Sequence, residues 1–418
     1  MGRTSSIRSK KGYDVYLIIY YVLLVVIGWF AIYSSAYDKS VTASIFDIGK
    51  PYGRQMIWIG VSLLELIVIL SIDRKIFYNI AYYLYGLFLI VMVVVIVVGT
   101  EISGAQAWIK IGSFTFQPVE FMKWVTALAL AKYFSEGKTK RQKQQVWISA
   151  SVFIIIPIIL TLLQRDTGSA LVFFSFIFLF FREGLSARAL ILIIAIAFIS
   201  IFTLLFNELY AIALLVTTFL VFWFLHRKDN KKIKRDFLIL MGAICFVFAV
   251  NFIYSNVFQA HQKQRIDTIL GKSSDPKGAD FNLNQSLISI GSGGFWGKGY
   301  LNSTQTQLNF VPEKSTDFIF CTIAEEFGFL GSFVICLLFM LLISRIIIMS
   351  EKHFNPFVRY YGYGVAGIFF FHFAINIGMT IGLLPIIGIP LPFISYGGTS
   401  MLSFSAMLFV FIKLNGSE

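Results

Sequence analysis

The residues of this chain with the clearest chemical potential surround Asp275, in the polar sequence SSDPKGADF. Basic side chains flank this aspartate on both sides: Lys263, Arg265, Lys272 and Lys277. A carboxylate can accept a proton from an attacking hydroxyl group, and nearby cations can stabilise a departing phosphate or pyrophosphate. The segment therefore predicts a general base in a cationic environment. The alternative is a turn that Asp275 begins before Pro276, which is the commonest origin of an Asp-Pro pair in a loop.

Three other segments combine ionisable residues with turn glycines, namely residues 104–123, 164–170 and 388–400. Within the first, Glu120 and Lys123 are three residues apart at the start of an apolar stretch, so they share one face of a helix. Ionisable residues are costly in a membrane and mark functional cavities by default, so we expect this pair to line one. An ion pair that only closes the helix bundle is the alternative.

Four further polar residues have simpler interpretations. Asp166, in the sequence QRDTG, is expected to cap the helix that follows it, and substrate contact is the alternative. Glu325 and Glu326 lie in an apolar span, where one of them must face protein or water. His372 also lies in an apolar span and is interpreted as a packed core residue.

The elements that must position these residues are membrane helices. Of the 418 residues, 57% are hydrophobic and 14% are charged, whereas soluble domains carry about 25% charged residues. Backbone polar groups in lipid must be satisfied internally, so we predict an all-α polytopic bundle that forms one transmembrane domain over residues 1–418. About twelve spans are expected, near residues 15–35, 55–72, 77–99, 118–135, 147–163, 169–181, 189–206, 211–225, 236–257, 316–345, 358–382 and 395–413.

The distribution of basic residues predicts the orientation of the bundle. The formal net charge is +13, and most of the 35 Lys and Arg fall on one side if the N-terminal tail is cytoplasmic. The charge is therefore topological and does not indicate nucleic acid as a partner. Both termini are expected in the cytoplasm of a bacterium, with membrane lipids around the bundle. Residues 258–315 become a large extracytoplasmic loop, and the four motif-bearing segments converge at the outer face.

Four motifs, taken in their order along the chain, resemble those of one known membrane family. Residues 291–320 read GSGGFWGKGYLNSTQTQLNFVPEKSTDFIF, and the sequences QPVEF, AEEFGFLGS and PLPFISYGGTS lie on either side. These segments are similar to the SEDS proteins, whose name stands for shape, elongation, division and sporulation. The triplet GKG and the sequence TQTQL favour the cell-elongation branch of that family over the cell-division branch.

The resemblance implies both a fold and an activity. The family has ten spans, so residues 189–235 are expected to form an extra helical hairpin. The implied activity is peptidoglycan glycosyltransferase, which polymerises lipid II, the undecaprenyl-pyrophosphate-linked disaccharide peptide. The implied partner is a class B penicillin-binding protein with transpeptidase activity. Asp275 matches the essential aspartate that precedes a Pro-x-Gly in the family's outer loop, which favours the general-base interpretation over the turn.

We expect the substrate to contact residues from all of these segments: Trp108, Glu120, Lys123, Lys263, Arg265, Lys277, Gln285, Lys298, Ser395, Tyr396, Gly397 and Gly398. One departure affects this set, because Ala107 stands where the family often has arginine. The phosphate chemistry implies a divalent cation, Mg²⁺ or Mn²⁺, although no metal-ligand spacing identifies a metal site. The cysteines do not indicate a metal site either, since Cys245, Cys321 and Cys336 lie in apolar spans without a CxxC pair.

Two other functions compete with polymerisation. A transporter or flippase of the same lipid would need acidic residues at mid-membrane and alternating-access repeats, whereas the acidic residues here cluster towards the outside. A non-enzymatic scaffold that only recruits a penicillin-binding protein is the third possibility. Replacement of Asp275 distinguishes the three.

Overall fold

The structure is a computed structural model, and it describes residues 12–37, 44–102, 104–112, 114–136, 143–226, 230–257, 263, 279–307, 310 and 313–416. Thirteen helices lie within these residues: α1 Val15–Ala36, α2 Pro51–Ser71, α3 Arg74–Val98, α4 Pro118–Ser135, α5 Lys143–Leu163, α6 Thr167–Arg182, α7 Ala187–Phe206, α8 Glu208–His226, α9 Asn230–Phe252, α10 Ala279–Gly293, α11 Ile319–Lys352, α12 Pro356–Thr380 and α13 Gly398–Asn415. The middle of α6 is a 3-10 turn, Phe173–Phe176, and α9 continues into the π-helical turn Ile253–Val257.

Every one of the twelve predicted spans falls on a helix, which confirms a polytopic helical membrane protein. Among the described residues, nine helices are long and apolar enough to cross a membrane. The helices α4, α6 and α7 occupy the other three predicted positions. Charged residues lower the hydropathy of α4, and α6 is short. The number of twelve spans stays a prediction.

The chain forms two compact units, each described by itself. The first comprises Met1–Phe180 with Asn282–Glu418, and the second comprises Phe181–Phe281. The predicted hairpin of residues 189–235 falls in the second unit, as α7, α8 and the start of α9.

Burial within the first unit differs strongly between its helices. In α12 and α13, 72% of the most apolar 18-residue window is buried, whereas in α2 and α3 the fraction is 22%. A helix that is apolar on all sides can expose that surface to lipid, so α2 and α3 are lipid-facing walls around a protein-packed centre. The centre consists of α12, α13 and α4, whose small residues allow close packing.

A small antiparallel sheet, which an all-α expectation does not include, lies between α3 and α4. Its strands are β1 Thr100–Ile102, β2 Ala105–Ile111 and β3 Phe114–Phe116, in that spatial order. Gly104 and Gly112 stand at its two turns with φ of +83° and +62°, which glycine adopts without a steric penalty. The sheet is attached to the rest of the first unit, since Gln106 N–H donates to the carbonyl of Gln164 at 2.9 Å.

The predicted outer loop contains one described helix, α10. It spans Ala279–Gly293, near the middle of the predicted loop. Two hydroxyls of this helix are fully buried: Ser286 donates to the carbonyl of Thr380 at 2.6 Å, and Ser289 reaches Glu325 at 3.1 Å. These bonds attach α10 to α11 and α12.

Candidate functional site

Helix α11 is broken near its start, and the break creates the most organised polar site of the described residues. Gly328 has φ +62° and ψ −154°, far from helical values, so the helical hydrogen bonds are interrupted there. The carbonyls of Glu325 and Glu326 accept instead from the N–H groups of Lys298 and Gly299, at 3.0 and 2.9 Å. Irregular backbone at membrane depth persists only when other protein groups satisfy it, and this loop does so.

Two glycines, Gly297 of the GKG triplet and Gly293, explain why the loop can approach the break so closely. Gly297 has φ +82°, and a Cβ atom at that position would overlap the carbonyl oxygen of Glu326. A Cβ at Gly293, the last residue of α10, would overlap the carbonyl oxygen of Ala324. Any larger residue would separate the loop from α11.

The carboxylate of Glu325 is the centre of this site. Its side chain is fully buried, and it accepts from five residues: Ser289 Oγ at 3.1 Å, Lys298 Nζ at 2.7 Å, Thr304 N at 2.8 Å, Gln305 N at 3.0 Å and Thr306 N at 3.3 Å. Three successive N–H groups around one anion form a nest, and the ammonium supplies a compensating charge. A buried charge this well satisfied fixes the conformation of residues 298–306.

Glu326 ties the same loop to a different helix. Its carboxylate accepts from the N–H of Leu301 at 3.1 Å and from the hydroxyl of Ser34 in α1. Tyr300, beside it, donates to the carbonyl of Phe30 at 3.3 Å. Burial, together with the charge of Glu326, raises the pKa of Tyr300 to about 12. Both adjacent glutamates therefore face protein, which the sequence left undecided.

Two lysines of this loop, Lys298 and Lys314, contact the segment that surrounds Glu325. The side chain of Lys298 is 26% exposed, and its Nζ contacts Glu325 and the hydroxyl of Thr304, each at 2.7 Å. Lys314 Nζ donates to the carbonyl of Thr306 at 2.5 Å, and burial lowers its pKa. The substrate-binding role of Lys298 stays a prediction. In the structure its ammonium group is engaged by Glu325 and Thr304.

A second buried polar cluster joins α4 to α12. Lys123 Nζ lies 2.7 Å from Glu120 Oε1 and 3.0 Å from His372 Nε2, and all three side chains are buried. The other ring nitrogen of His372 lies 3.0 Å from the carbonyl of Pro390. Because a carbonyl only accepts, this nitrogen carries the proton and Nε2 accepts from the ammonium of Lys123. His372 is thus part of a polar triad rather than a simple packed core residue.

One oxygen of that triad has no partner in the structure. Oε2 of Glu120 is buried and makes no hydrogen bond with any described residue. Buried polar atoms are normally satisfied, so this oxygen marks the point at which a water molecule or a polar ligand would bind. The expectation that Glu120 and Lys123 line a substrate cavity stays a prediction.

The predicted SYGG turn is held tightly from several sides. Ser395 Oγ donates to the carbonyl of Thr316 at 2.7 Å, and Tyr396 N–H donates to the carbonyl of Ser315 at 2.8 Å. Gly397 N–H lies 3.4 Å from Gln55 Oε1, and a Cβ at Gly398 would overlap the ring of Trp58. Gly398 therefore permits close packing here, and the substrate contact expected of this turn stays a prediction.

Asp166 caps α6, as expected. Its Oδ1 accepts from the N–H of Ser169 at 2.9 Å, and its Oδ2 accepts from the amide of Gln117 at 2.8 Å. Trp108, on β2, and Gln285, on α10, are half-buried, whereas Ala107 is fully buried. The roles assigned to these residues stay predictions.

The structure does not test four of the predicted site residues. Arg265, Asp275 and Lys277 fall outside the described residues. Lys263 belongs to the second unit, where its Nζ donates to the carbonyl of Ser255 at 2.7 Å. Within the part of the chain that the structure describes, no three His, Cys, Asp or Glu residues are placed to hold a metal ion.

Comparison with known proteins identifies the family. The family model for FtsW, RodA and SpoVE, described as cell cycle protein, matches residues 14–232 and 234–417. The peptidoglycan glycosyltransferase MrdB of Escherichia coli K12 is 33% identical over 363 residues, which cover 86% of this chain and 84% of MrdB. The peptidoglycan glycosyltransferase RodA of Treponema pallidum is 28% identical and covers 94% of this chain and 95% of its own.

The fold also matches a solved structure. A chain of a peptidoglycan synthase complex, in which polymerization and crosslinking are coordinated, aligns with a TM-score of 0.69 at 26% identity. The alignment covers 96% of this chain and 97% of that chain. The motifs, the helix order and these matches agree. The chain therefore belongs to the FtsW, RodA and SpoVE family of cell cycle proteins, which confirms the SEDS resemblance drawn from its motifs.

Proposed function

We propose that this chain is a peptidoglycan glycosyltransferase, which polymerises lipid II into glycan strands at the outer face of the cytoplasmic membrane during cell elongation. The names of its relatives MrdB and RodA support this activity. The observation that carries the proposal is the predicted outer loop fixed by Glu325 onto the break of α11. Helix α10 begins shortly after Asp275 and ends at this anchored loop, so one end of the segment that bears Asp275 is attached to a rigid support.

The reaction requires one proton transfer and one displacement. The sugar 4-hydroxyl of lipid II attacks the anomeric carbon of the growing lipid-linked chain, and Asp275 accepts the hydroxyl proton. The new glycosidic bond forms as the bond from the anomeric carbon to the pyrophosphate oxygen breaks. The undecaprenyl pyrophosphate leaves with the bonding electrons, and the configuration inverts. A single displacement needs one carboxylate, whereas retaining glycosidases use two.

The leaving group needs cationic stabilisation more than it needs a general acid, because pyrophosphate is a weak base. We assign this role to the basic residues of the outer loop, Lys263, Arg265 and Lys277. A divalent cation, Mg²⁺ or Mn²⁺, would supply further positive charge beside the leaving pyrophosphate. No step of the reaction is assigned to it.

The partner and location belong to the same proposal. The solved complex to which this chain is similar supports a class B penicillin-binding protein as the partner, and the lipid substrate requires the cytoplasmic membrane of a bacterium. The excess of basic residues on one side supports cytoplasmic termini.

The decisive experiment compares Asp275→Asn with Asp280→Asn, the same change five residues away in the same loop. Purified proteins are incubated with lipid II, and glycan products are separated on a gel. We expect Asp275→Asn to abolish polymerisation while Asp280→Asn retains it and both bind the partner transpeptidase. Equal polymerisation by both variants would exclude Asp275 as the base. If the unmodified protein moves fluorescent lipid II across vesicles but makes no polymer, the protein is a flippase. If it does neither and still binds the partner, it is a scaffold.

A further inference from the structure

Helices α8 and α9, in the second unit, form a groove that the proposed polymerisation does not use. The groove has a volume of about 610 Å³, and seven residues line it: Phe219, Leu220, Trp223, Ile233, Lys234, Phe237 and Leu238. Six of these seven side chains are apolar. The wall that α8 provides lies within residues 189–235, the hairpin that distinguishes the chain from the ten-span pattern implied by its motifs.

The spacing of the lining residues gives the groove a direction. Ile233 and Phe237 are four residues apart, as are Lys234 and Leu238, so both pairs stack along one face of α9. Lys234 lies one turn nearer to the start of α9 than Leu238 does. The cation is therefore at the end of the groove near the α8–α9 connection, and the apolar walls continue away from it.

Basic residues dominate that end of the hairpin. Helix α9 begins with the sequence NKKIKR, and the connection before it, residues 227–229, reads RKD. Arg235 pairs with Asp236 at 3.0 Å. Lys234 is exposed, and none of the carboxylates that the structure describes pairs with it. The positive-inside rule places such a connection on the cytoplasmic side of the membrane.

The groove walls are open to the membrane at the same level. Trp223, Phe237 and Leu238 are 48%, 52% and 73% exposed. Tryptophan favours the boundary between headgroups and hydrocarbon, so Trp223 places this end of the groove at the membrane surface. An apolar groove that begins at the headgroup level beside an exposed cation matches a lipid with a negative headgroup.

We propose that this groove binds an anionic phospholipid of the cytoplasmic leaflet, with an acyl chain along the groove and the phosphate at Lys234. A protein segment is a poorer occupant, because burial against protein would leave Lys234 without its solvent or a counter-charge. A zwitterionic lipid would fill the groove equally well, but its own ammonium group would oppose Lys234. The charge of the headgroup therefore sets the preference.

The test measures lipid binding to the purified full-length protein by native mass spectrometry. Phosphatidylglycerol and phosphatidylethanolamine with the same acyl chains are titrated separately onto delipidated protein. We expect phosphatidylglycerol to bind more tightly, and Lys234→Gln to weaken that binding about fivefold, the effect of one surface cation on an anionic membrane. The matched control is Lys75→Gln, at the exposed start of α3, which removes one charge on the same predicted side and should change binding little.

A second measurement locates the acyl chain. Phosphatidylglycerol brominated on its acyl chains quenches the fluorescence of nearby tryptophans. We expect Trp223 to be quenched most strongly, so the Trp223→Phe variant should lose the largest part of the quenching. Leu220→Trp, which narrows the groove without changing charge, should weaken binding of both lipids. Equal affinities for the two lipids would overturn the proposal. So would an equal loss in Lys75→Gln, or quenching that Trp223→Phe leaves unchanged.

Discussion

Glu325 and Lys298 form an ion pair of 2.7 Å that joins a broken membrane helix to the loop in front of it. The carboxylate is fully buried, whereas the side chain of the lysine is 26% exposed. The same carboxylate also accepts three successive main-chain N–H groups, so the pair is one part of a larger anchor. One of two adjacent acidic residues in an apolar span is therefore the group that holds residues 298–306 in place.

The first prediction concerns this anchor. Glu325→Gln keeps the size of the side chain but removes the charge, so Lys298 loses its counter-ion and the N–H nest faces a neutral amide. Removing one partner of a buried pair lowers the free energy of unfolding by about 3–5 kcal/mol. Because Lys298 is partly exposed, we expect the loss in Glu325→Gln to lie at the lower end of that range. We expect a lower melting temperature in detergent, faster proteolysis within residues 298–306 and a large loss of polymerisation. Glu101→Gln, an exposed glutamate on β1, should change none of the three.

The second prediction tests the close approach of the loop to α11. Gly297→Ala would add a Cβ that overlaps the carbonyl of Glu326, at a residue whose φ is +82°. We expect the loop to separate from the helix break, with increased hydrogen exchange at Lys298 and Gly299 and a loss of polymerisation. Gly291→Ala is the matched control, because open space surrounds its Cβ position. Native exchange rates in Gly297→Ala would show that the loop tolerates a side chain there.

The third prediction concerns the buried triad. Lys123→Met removes the cation from between Glu120 and His372 and leaves a carboxylate uncompensated in the protein centre, at a cost of about 3–5 kcal/mol. We expect little folded protein from this variant. Adding Glu120→Gln removes the stranded charge and should recover much of the yield. Thermal unfolding of the two single variants and the double variant gives the coupling free energy between Glu120 and Lys123. Additive effects would show that the two side chains do not stabilise one another.

The fourth prediction tests the proposed cation. If a divalent ion accompanies the pyrophosphate, EDTA should abolish polymerisation by the purified protein, and Mg²⁺ or Mn²⁺ should restore it. If the ion binds together with the pyrophosphate, the melting temperature of the protein without lipid II should not change with EDTA. Polymerisation that persists undiminished in EDTA would mean that basic side chains alone balance the leaving group.

The positions of the helices could be predicted from sequence because apolar length is a strong signal. All twelve predicted spans coincide with helices. Local sequence also predicts that Asp166 caps a helix and that Gly104 lies in a turn, and the structure shows both. The small sheet could not be predicted in the same way. Its strands are three to seven residues long, so turn glycines were the only local signal.

The polar contacts of the site could not be predicted, because they join residues distant in sequence. His372 meets Lys123 across 249 positions, and Ser34 meets Glu326 across 292. The hydroxyl and glycine pattern of residues 297–306 was recognisable as a family motif, but its physical purpose was not. Two adjacent glutamates in an apolar span were the available signal that such an anchor exists.

The interruption of α11 at Gly328 also limits the movement of the loop that packs against it. To lift away, residues 297–299 would have to leave two main-chain carbonyls without donors inside the membrane, and each would cost several kcal/mol. Residues 297–299 are therefore expected to stay in place and not to open and close like a lid. A polymerase built this way would have to admit lipid II and release the glycan strand without moving this segment.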